Sequence, residues 1–390
     1  MPSPAPPRIL GVIDGAPLDP ATWSGSSRGL FRSLERRGAL AGAVDAHVAL
    51  LDTAARVASI APGRRRWWQR YTGGAYALAG PLAAARTGLA RRRAEHAGPA
   101  VDAVLQVGAW YDLTGLRGPR LRASYHDGNL ATFLRRPDVA LDSRSRSVRR
   151  ALERERRLYE RMDLILPMSE WLARAFVEDF GQDPAKVVAV GAGANIDELP
   201  AAPVRDAGSQ ESPRVLFVGK GEFARKGGPQ LRDAFAELRR SHPAAELWLA
   251  GPAPAPDPRP GERWLGRIDR RTTAGERELR RLYTAATAFA LPSLYEPFGI
   301  AFLEAMAYAL PCLGANGCAM PEIVADGESG LLSEPGDVAA LAANLGALAD
   351  DPARAVAMGR AGRRRLEERY TWDAVGGRIT AEIGARLEAA

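Results

Sequence analysis

The sequence predicts an α/β chain made of two parallel-sheet units, and three observations carry that expectation. Short apolar runs of strand length alternate with stretches whose apolar residues recur at helical spacing, starting with a strand at residues 8–14, a loop and a helix. The same strand, glycine loop, helix order restarts at residue 214, directly after the small and polar run 200–213, which has the composition of a linker. Finally, 390 residues with 46% hydrophobic and 25% charged side chains are long for one core and comfortable for two.

In the first half, the strand at 8–14 is followed by a loop to Gly25 and a helix over 26–38. Gly25, flanked by Ser24 and Ser26, would let backbone approach a diphosphate or would simply begin a helix. From residue 53 to residue 94 there is no acidic side chain, while nine arginines accompany Trp67, Trp68, Tyr71 and Tyr76. Segment 64–93 therefore suits an anionic membrane surface, a solvated basic face or a wall for an acidic acceptor. Further strands are expected at 100–108 and 121–127, the second ending on His126-Asp127. Because carboxyl ends of parallel strands line the ligand crevice, His126 is either a structural histidine or one that touches substrate. An amphipathic helix at 145–162 and a strand-helix pair at 164–180 complete this half.

The second half begins with a strand at 214–219 and a basic, glycine-rich loop carrying Lys220, Arg225 and Lys226, then a helix at 229–240. Strands follow at 245–251 and 264–268, with a helix at 276–286 and an apolar run at 286–291. The stretch Ser293-Leu-Tyr-Glu-Pro-Phe-Gly-Ile-Ala-Phe-Leu-Glu304 then places Glu296 and Glu304 eight positions apart across a turn that opens a helix. Pro292 and Pro297 shape the loop, and Gly299 frees the backbone before the helix. A helix start of this kind leaves N–H groups unpaired at the positive end of the dipole, which suits a phosphate or a hydroxyl-rich ligand. The plainer alternative is a capped core helix with one surface glutamate.

Composition narrows the classes. The net charge of +7 is mostly arginine, which favours phosphates or an anionic surface, and no nucleic-acid motif accompanies it. Two cysteines, Cys312 and Cys318, and four histidines support neither a disulfide framework nor a zinc site, and both thiols are expected to be buried. The N-terminus lacks a signal-peptide pattern and no apolar run reaches membrane-spanning length, so a cytoplasmic protein is expected, peripheral to the inner membrane face if segment 64–93 meets lipid. No two aspartates are separated by one residue, which argues against a metal held by an Asp-x-Asp pair.

Glu296-Pro-Phe-Gly-Ile300 with Glu304, Glu304-Ala-Met-Ala307 with Pro311, and Pro321-Glu-Ile-Val324 with Gly327 and Gly330 resemble the E-x7-E signature and its flanks in retaining GT-B glycosyltransferases of family 4, the glycosyl transferases group 1. The resemblance covers most of the chain apart from about residues 50–100. It implies two Rossmann-like domains with parallel sheets facing an interdomain cleft: an acceptor domain at 1–205, a sugar-nucleotide domain at 206–370, and a terminal helix at 371–390 returning to the first. It implies a hexose moved with retention, without metal or other cofactor, from a UDP- or GDP-sugar to a glycan, lipid-linked or small-molecule acceptor. A non-catalytic nucleotide-sugar-binding relative or partner subunit is the alternative, and among enzymes a phosphorylase or sugar-phosphate synthase on the same fold. By the same resemblance, Gly25, Lys220 and Lys226 hold the diphosphate, Glu296 with Phe298, Gly299 and Ile300 the sugar, and Glu304 the ribose. Gly266, Arg267 and Ile268 lie near the base, and His126 stands near the transferred sugar with Glu296.

Overall fold

The computed structural model describes residues 5–51, 81–97, 100–139, 144, 146–201, 212–219, 222–255 and 257–389. Lys220, most of the 200–213 linker with the boundary at 205/206, and residues 64–80 of the basic segment lie outside the described residues. The described chain forms two compact units, one of Met1–Gly193 with Trp372–Ala390, the other of Ala194–Thr371.

The first unit holds five parallel strands, β1 (Ile9–Ile13), β2 (Leu40–Asp45), β3 (Ala103–Val107), β4 (Leu121–His126) and β5 (Leu164–Pro167), in the order β2-β1-β3-β4-β5. Its helices are α1 (Ser26–Arg36), α2 (Pro81–His96), α3 (Leu130–Leu134), α4 (Arg146–Glu160) and α5 (Glu170–Glu178). In the second unit, β6 (Arg214–Val218), β7 (Glu246–Ala250), β8 (Glu262–Gly266), β9 (Ala288–Leu291), β10 (Cys312–Ala315) and β11 (Gly330–Ser333) run parallel in the order β11-β10-β9-β6-β7-β8. Its helices are α6 (Gly228–Ser241), α7 (Thr273–Ala285), α8 (Ile300–Ala307), α9 (Met320–Ile323), α10 (Val338–Asp350) and α11 (Pro352–Arg369). The expected pair of parallel-sheet α/β units is therefore observed.

The burial patterns explain which elements form where. β1, β3, β5, β9 and β10 are buried at every residue, as strands covered by helices on both faces must be. β2 is only partly buried and made of small residues, as an edge strand can be, and so gives little apolar signal. No helix among the described residues is long and apolar enough to cross a membrane.

The last helix, α12 (Trp372–Ala389), packs within the first unit. Trp372 is buried against Gly29 of α1 and against Gly193, and Arg378 Nε donates to the Val190 carbonyl at 2.9 Å. A methyl group on Gly29 would stand 2.2 Å from Trp372 Nε1. Alanine in place of a helical glycine ordinarily stabilises, by roughly 0.5–1 kcal/mol. Here overpacking reverses the sign: Gly29→Ala is expected to destabilise by about 1–3 kcal/mol, seen as a lower melting temperature, whereas an unchanged or raised one would show that Trp372 is not a fixed wall.

Candidate functional site

In an open parallel sheet a crevice forms where the strand order reverses direction. In the second unit the chain goes from β6 outward through β7 to β8, then returns to place β9 on the other side of β6. The loops leaving β6 and β9 flank this switch point, and they carry the basic cluster and the Glu296 turn.

The two loops meet through charge. Lys226 Nζ donates to Glu296 Oε2 at 2.6 Å across 70 positions of sequence, with both side chains about seven-eighths buried. Ser293, fully buried, reaches the same oxygen at 3.4 Å. The backbones are tied as well: Leu294 N–H donates to the Arg225 carbonyl at 2.9 Å, and the Arg225 guanidinium holds the Tyr295 carbonyl and Glu222. Gly227 makes this approach possible. Its φ is +72°, and a Cβ there would lie 1.9 Å from the Pro292 carbonyl oxygen.

Gly299, at φ +98°, is the N-cap of α8, and no side chain caps that helix. The start of α8 thus directs its first N–H groups out of the helix beside the Lys226–Glu296 pair, as the spacing of the two carboxylates suggested. Phe298 is buried, its ring 6.3 Å from that of Tyr370. Cys318, at φ +49° in the loop after β10, sets its thiol against the backbone of Glu296, and partial burial raises its pKa. It is half-buried rather than buried; Cys312 is fully buried.

Glu304 lies inside α8 with its side chain 4% exposed. Arg270 Nη1 donates to its Oε1 at 2.5 Å and Tyr283 Oη to its Oε2 at 3.1 Å. The carboxylate in turn raises the Arg270 pKa, and burial raises that of Tyr283, whose ring stacks on Tyr308 at 5.2 Å. Arg270 also donates to the Asn195 carbonyl at 3.1 Å. Sequence reasoning missed both partners, since no local pattern links position 270 or 283 to 304. Arg270 follows Gly266, Arg267 and Ile268, so the loop expected at the base is anchored to the glutamate expected at the ribose. Gly266 ends β8 with φ +65° and open space beside its Cα, and its carbonyl accepts from Gly251 N–H at 2.7 Å.

In the first unit the switch point lies between β1 and β3. Gly25, at φ +94°, caps α1, and Trp23 Nε1 donates to Asp127 Oδ2 at 2.8 Å, joining the Gly25 loop to the His126-Asp127 strand end. His126 itself is buried, its ring 5.4 Å from that of Tyr159 and 5.1 Å from that of Phe176, with neither ring nitrogen hydrogen-bonded among the described residues. Burial lowers its pKa to about 3, so the imidazole is neutral at pH 7. Behind it Glu155, also buried, accepts from Leu130 N–H and Tyr159 Oη, both at 3.0 Å, and burial raises its pKa to about 7. Of the four described arginines of the basic segment, three bond within the fold: Arg86 is buried beside Asp14 at 3.5 Å, Arg91 donates to the Asp112 carbonyl, and Arg93 to those of Asp45 and His47, while Arg92 is exposed.

Residues 212–351 match the model of the family Glycosyl transferases group 1. Glycogen synthase of Mycobacterium tuberculosis is 33% identical over 223 residues, 56% of this chain and 53% of the relative. The chain thus spans about half the length of the curated relatives it matches. Sucrose-phosphate synthase from Thermosynechococcus elongatus superposes with a TM-score of 0.67 at 20% identity, covering 98% of this chain and 100% of that one. Anabaena HepE, solved in complex with UDP and glucose, gives 0.62 at 16% identity, covering 97% and 100%. The shared fold is GT-B.

Two outcomes follow. Arg270→Ala leaves a buried carboxylate with Tyr283 but without its cation and is expected to cost about 3 kcal/mol, part of which Glu304→Gln restores in the double variant; urea unfolding measures both, and an Arg270→Ala protein as stable as wild type would contradict the pairing. His126 binds fewer protons folded than unfolded between its ordinary pKa of 6.5 and about 3, so its contribution is intact above pH 6.5 and falls as pH drops through that window. Relative to His126→Phe, wild type should lose roughly 1.5 kcal/mol between pH 6.5 and pH 5, with the opposing titration of Glu155 common to both proteins. Parallel pH profiles of unfolding free energy would show the ring to be solvated.

Proposed function

We propose that this chain, whose residues 212–351 match the group 1 glycosyl transferases, is a retaining, metal-independent hexosyltransferase acting from a UDP- or GDP-sugar on a glycan, lipid-linked or small-molecule acceptor. The observation that carries the reading is the Lys226–Glu296 contact beside the uncapped start of α8, at the switch point of the second sheet.

Leaving-group departure from a sugar nucleotide develops negative charge on the diphosphate, which fixed cations and dipoles can stabilise without reorganising. Lys226 supplies an ammonium group, Lys220 a second, and the amides at Phe298, Gly299 and Ile300 a dipole. Glu296 accepts hydrogen bonds from sugar hydroxyls. Glu304, held by Arg270 and Tyr283, keeps lone pairs for ribose hydroxyls, since each carboxylate oxygen accepts more than one bond. The open backbone at Gly266, Arg267 and Ile268 receives the base. The family resemblance adds Gly25 at the diphosphate and His126 near the sugar; a neutral His126 would act there as a hydrogen-bonding group rather than a cation. Retention is read as front-face displacement, in which the departing phosphate takes the acceptor proton, so Glu296 is not assigned as a nucleophile.

Lys226→Ala is expected to lower kcat by about 10²–10³-fold with a smaller change in KM, because the charge it meets grows in the transition state. Glu296→Ala should lower transfer and hydrolysis of the donor alike. Chelator should leave wild-type activity unchanged, and NMR of the product should show the donor's anomeric configuration. Equal, background-level turnover by wild type and Glu296→Ala would favour a non-catalytic nucleotide-sugar-binding protein; strict dependence on magnesium or manganese would overturn the metal-free assignment.

A further inference from the structure

Helix α4 divides into two faces of different chemistry. Val148, Ala151, Leu158 and Tyr159 are buried, as is Glu155. Arg146, the adjacent Arg149 and Arg150, Arg154, Arg157 and Arg161 follow one another by three or four positions, 149 and 150 counting as one step, and form one stripe from the helix start to just beyond its end, bordering a groove of about 600 Å³. Among the described residues, Glu153 is the one carboxylate that lines it.

The lower half of the stripe is committed. Arg154 Nη1 donates to the Ala109 carbonyl at 3.0 Å, Arg157 to Glu153 at 2.8 Å, and Arg161 to Asp112 at 2.5 Å. The upper half is not: Arg146, Arg149 and Arg150 are exposed and have no acidic partner among the described residues. These three oppose the local fold twice, since like charges at this spacing repel and the first turn of α4, which holds no acidic residue, already carries the positive end of the dipole. A solvated face needs no such arrangement. Guanidinium forks match phosphate oxygens two at a time, and a groove of this volume holds a ligand of several phosphate or sugar units.

We propose that the arginine groove of α4 is a binding site for a ligand bearing two or more clustered phosphate groups, separate from the donor site of the second unit. The phosphates belong either to a soluble molecule or to anionic lipid headgroups, and two probes tell these apart: inorganic tripolyphosphate by calorimetry, and sedimentation with phosphatidylcholine vesicles containing phosphatidylglycerol, both at low salt. The test variant is Arg146→Gln/Arg149→Gln/Arg150→Gln. The control is Arg354→Gln/Arg360→Gln/Arg364→Gln, three exposed arginines of α11, which removes the same charge elsewhere. Binding of tripolyphosphate weakened at least about tenfold in the α4 variant and little in the control supports a soluble phosphate ligand. The same pattern with vesicles alone supports a lipid-borne one. Failure of wild type to bind either probe, equal binding by the α4 variant, or equal weakening in the control overturns the site. Should the triple variant melt below wild type, Arg149→Gln and Arg150→Gln singly carry the comparison. No donor is needed, so the result stands apart from the transferase reading.

Discussion

Lys226 can meet Glu296 only because β9 lies beside β6. The two residues are 70 positions apart, and the intervening chain builds β7, β8 and two helices before returning. Right-handed crossovers in a parallel sheet leave few ways to do this, and a sheet that grows first to one side and then to the other must open a crevice at the reversal. The site is thus a consequence of strand order. Gly227 is the local condition for it, because any side chain there would strike the Pro292 carbonyl.

Around that contact the second unit neutralises its buried carboxylates one by one. Glu296 has Lys226 and Ser293; Glu304 has Arg270 and Tyr283. Burying a carboxylate without a partner is costly, and removing one partner of such a pair costs more than the pair contributes. The ionic contacts therefore place rather than merely stabilise: Arg270 joins the strand end at Gly266 to α8, and Lys226 joins the β6 loop to the turn before α8. Three expected ligand regions are held in one frame by two ion pairs.

Much of this was legible in the sequence. Fully buried strands such as β1 and β9 announce themselves as apolar runs, and the Glu296–Glu304 spacing with Gly299 between them located the turn and the helix start. What escaped was whatever depends on partners distant in sequence. β2, an edge strand of small residues, lacks a hydrophobic signature; Arg270 and Tyr283 look like any surface arginine and core tyrosine until α7 and α8 are packed. Partners distant in sequence also absorb part of the basic segment: Arg86, Arg91 and Arg93 bond carbonyls and a carboxylate inside the fold, so they are not free charge. The sequence left His126 either structural or at a substrate, and its ring neighbours Tyr159 and Phe176 likewise come from elements the local sequence does not announce.

The same electrostatic logic bears on how the proposed reaction begins. In the proposed reaction a diphosphate would meet Lys226 while its Nζ, which carries three N–H donors, still holds Glu296 Oε2, so one ammonium group can serve both anions. Keeping that contact matters, because a diphosphate adds negative charge beside a carboxylate about seven-eighths buried, and a neutral hydroxyl alone would not replace the charge of the lysine. On the proposed reading the remaining lone pairs of Glu296 would accept from sugar hydroxyls with Lys226 in place, so that one lysine–carboxylate contact orders both the phosphate and the sugar end of the donor.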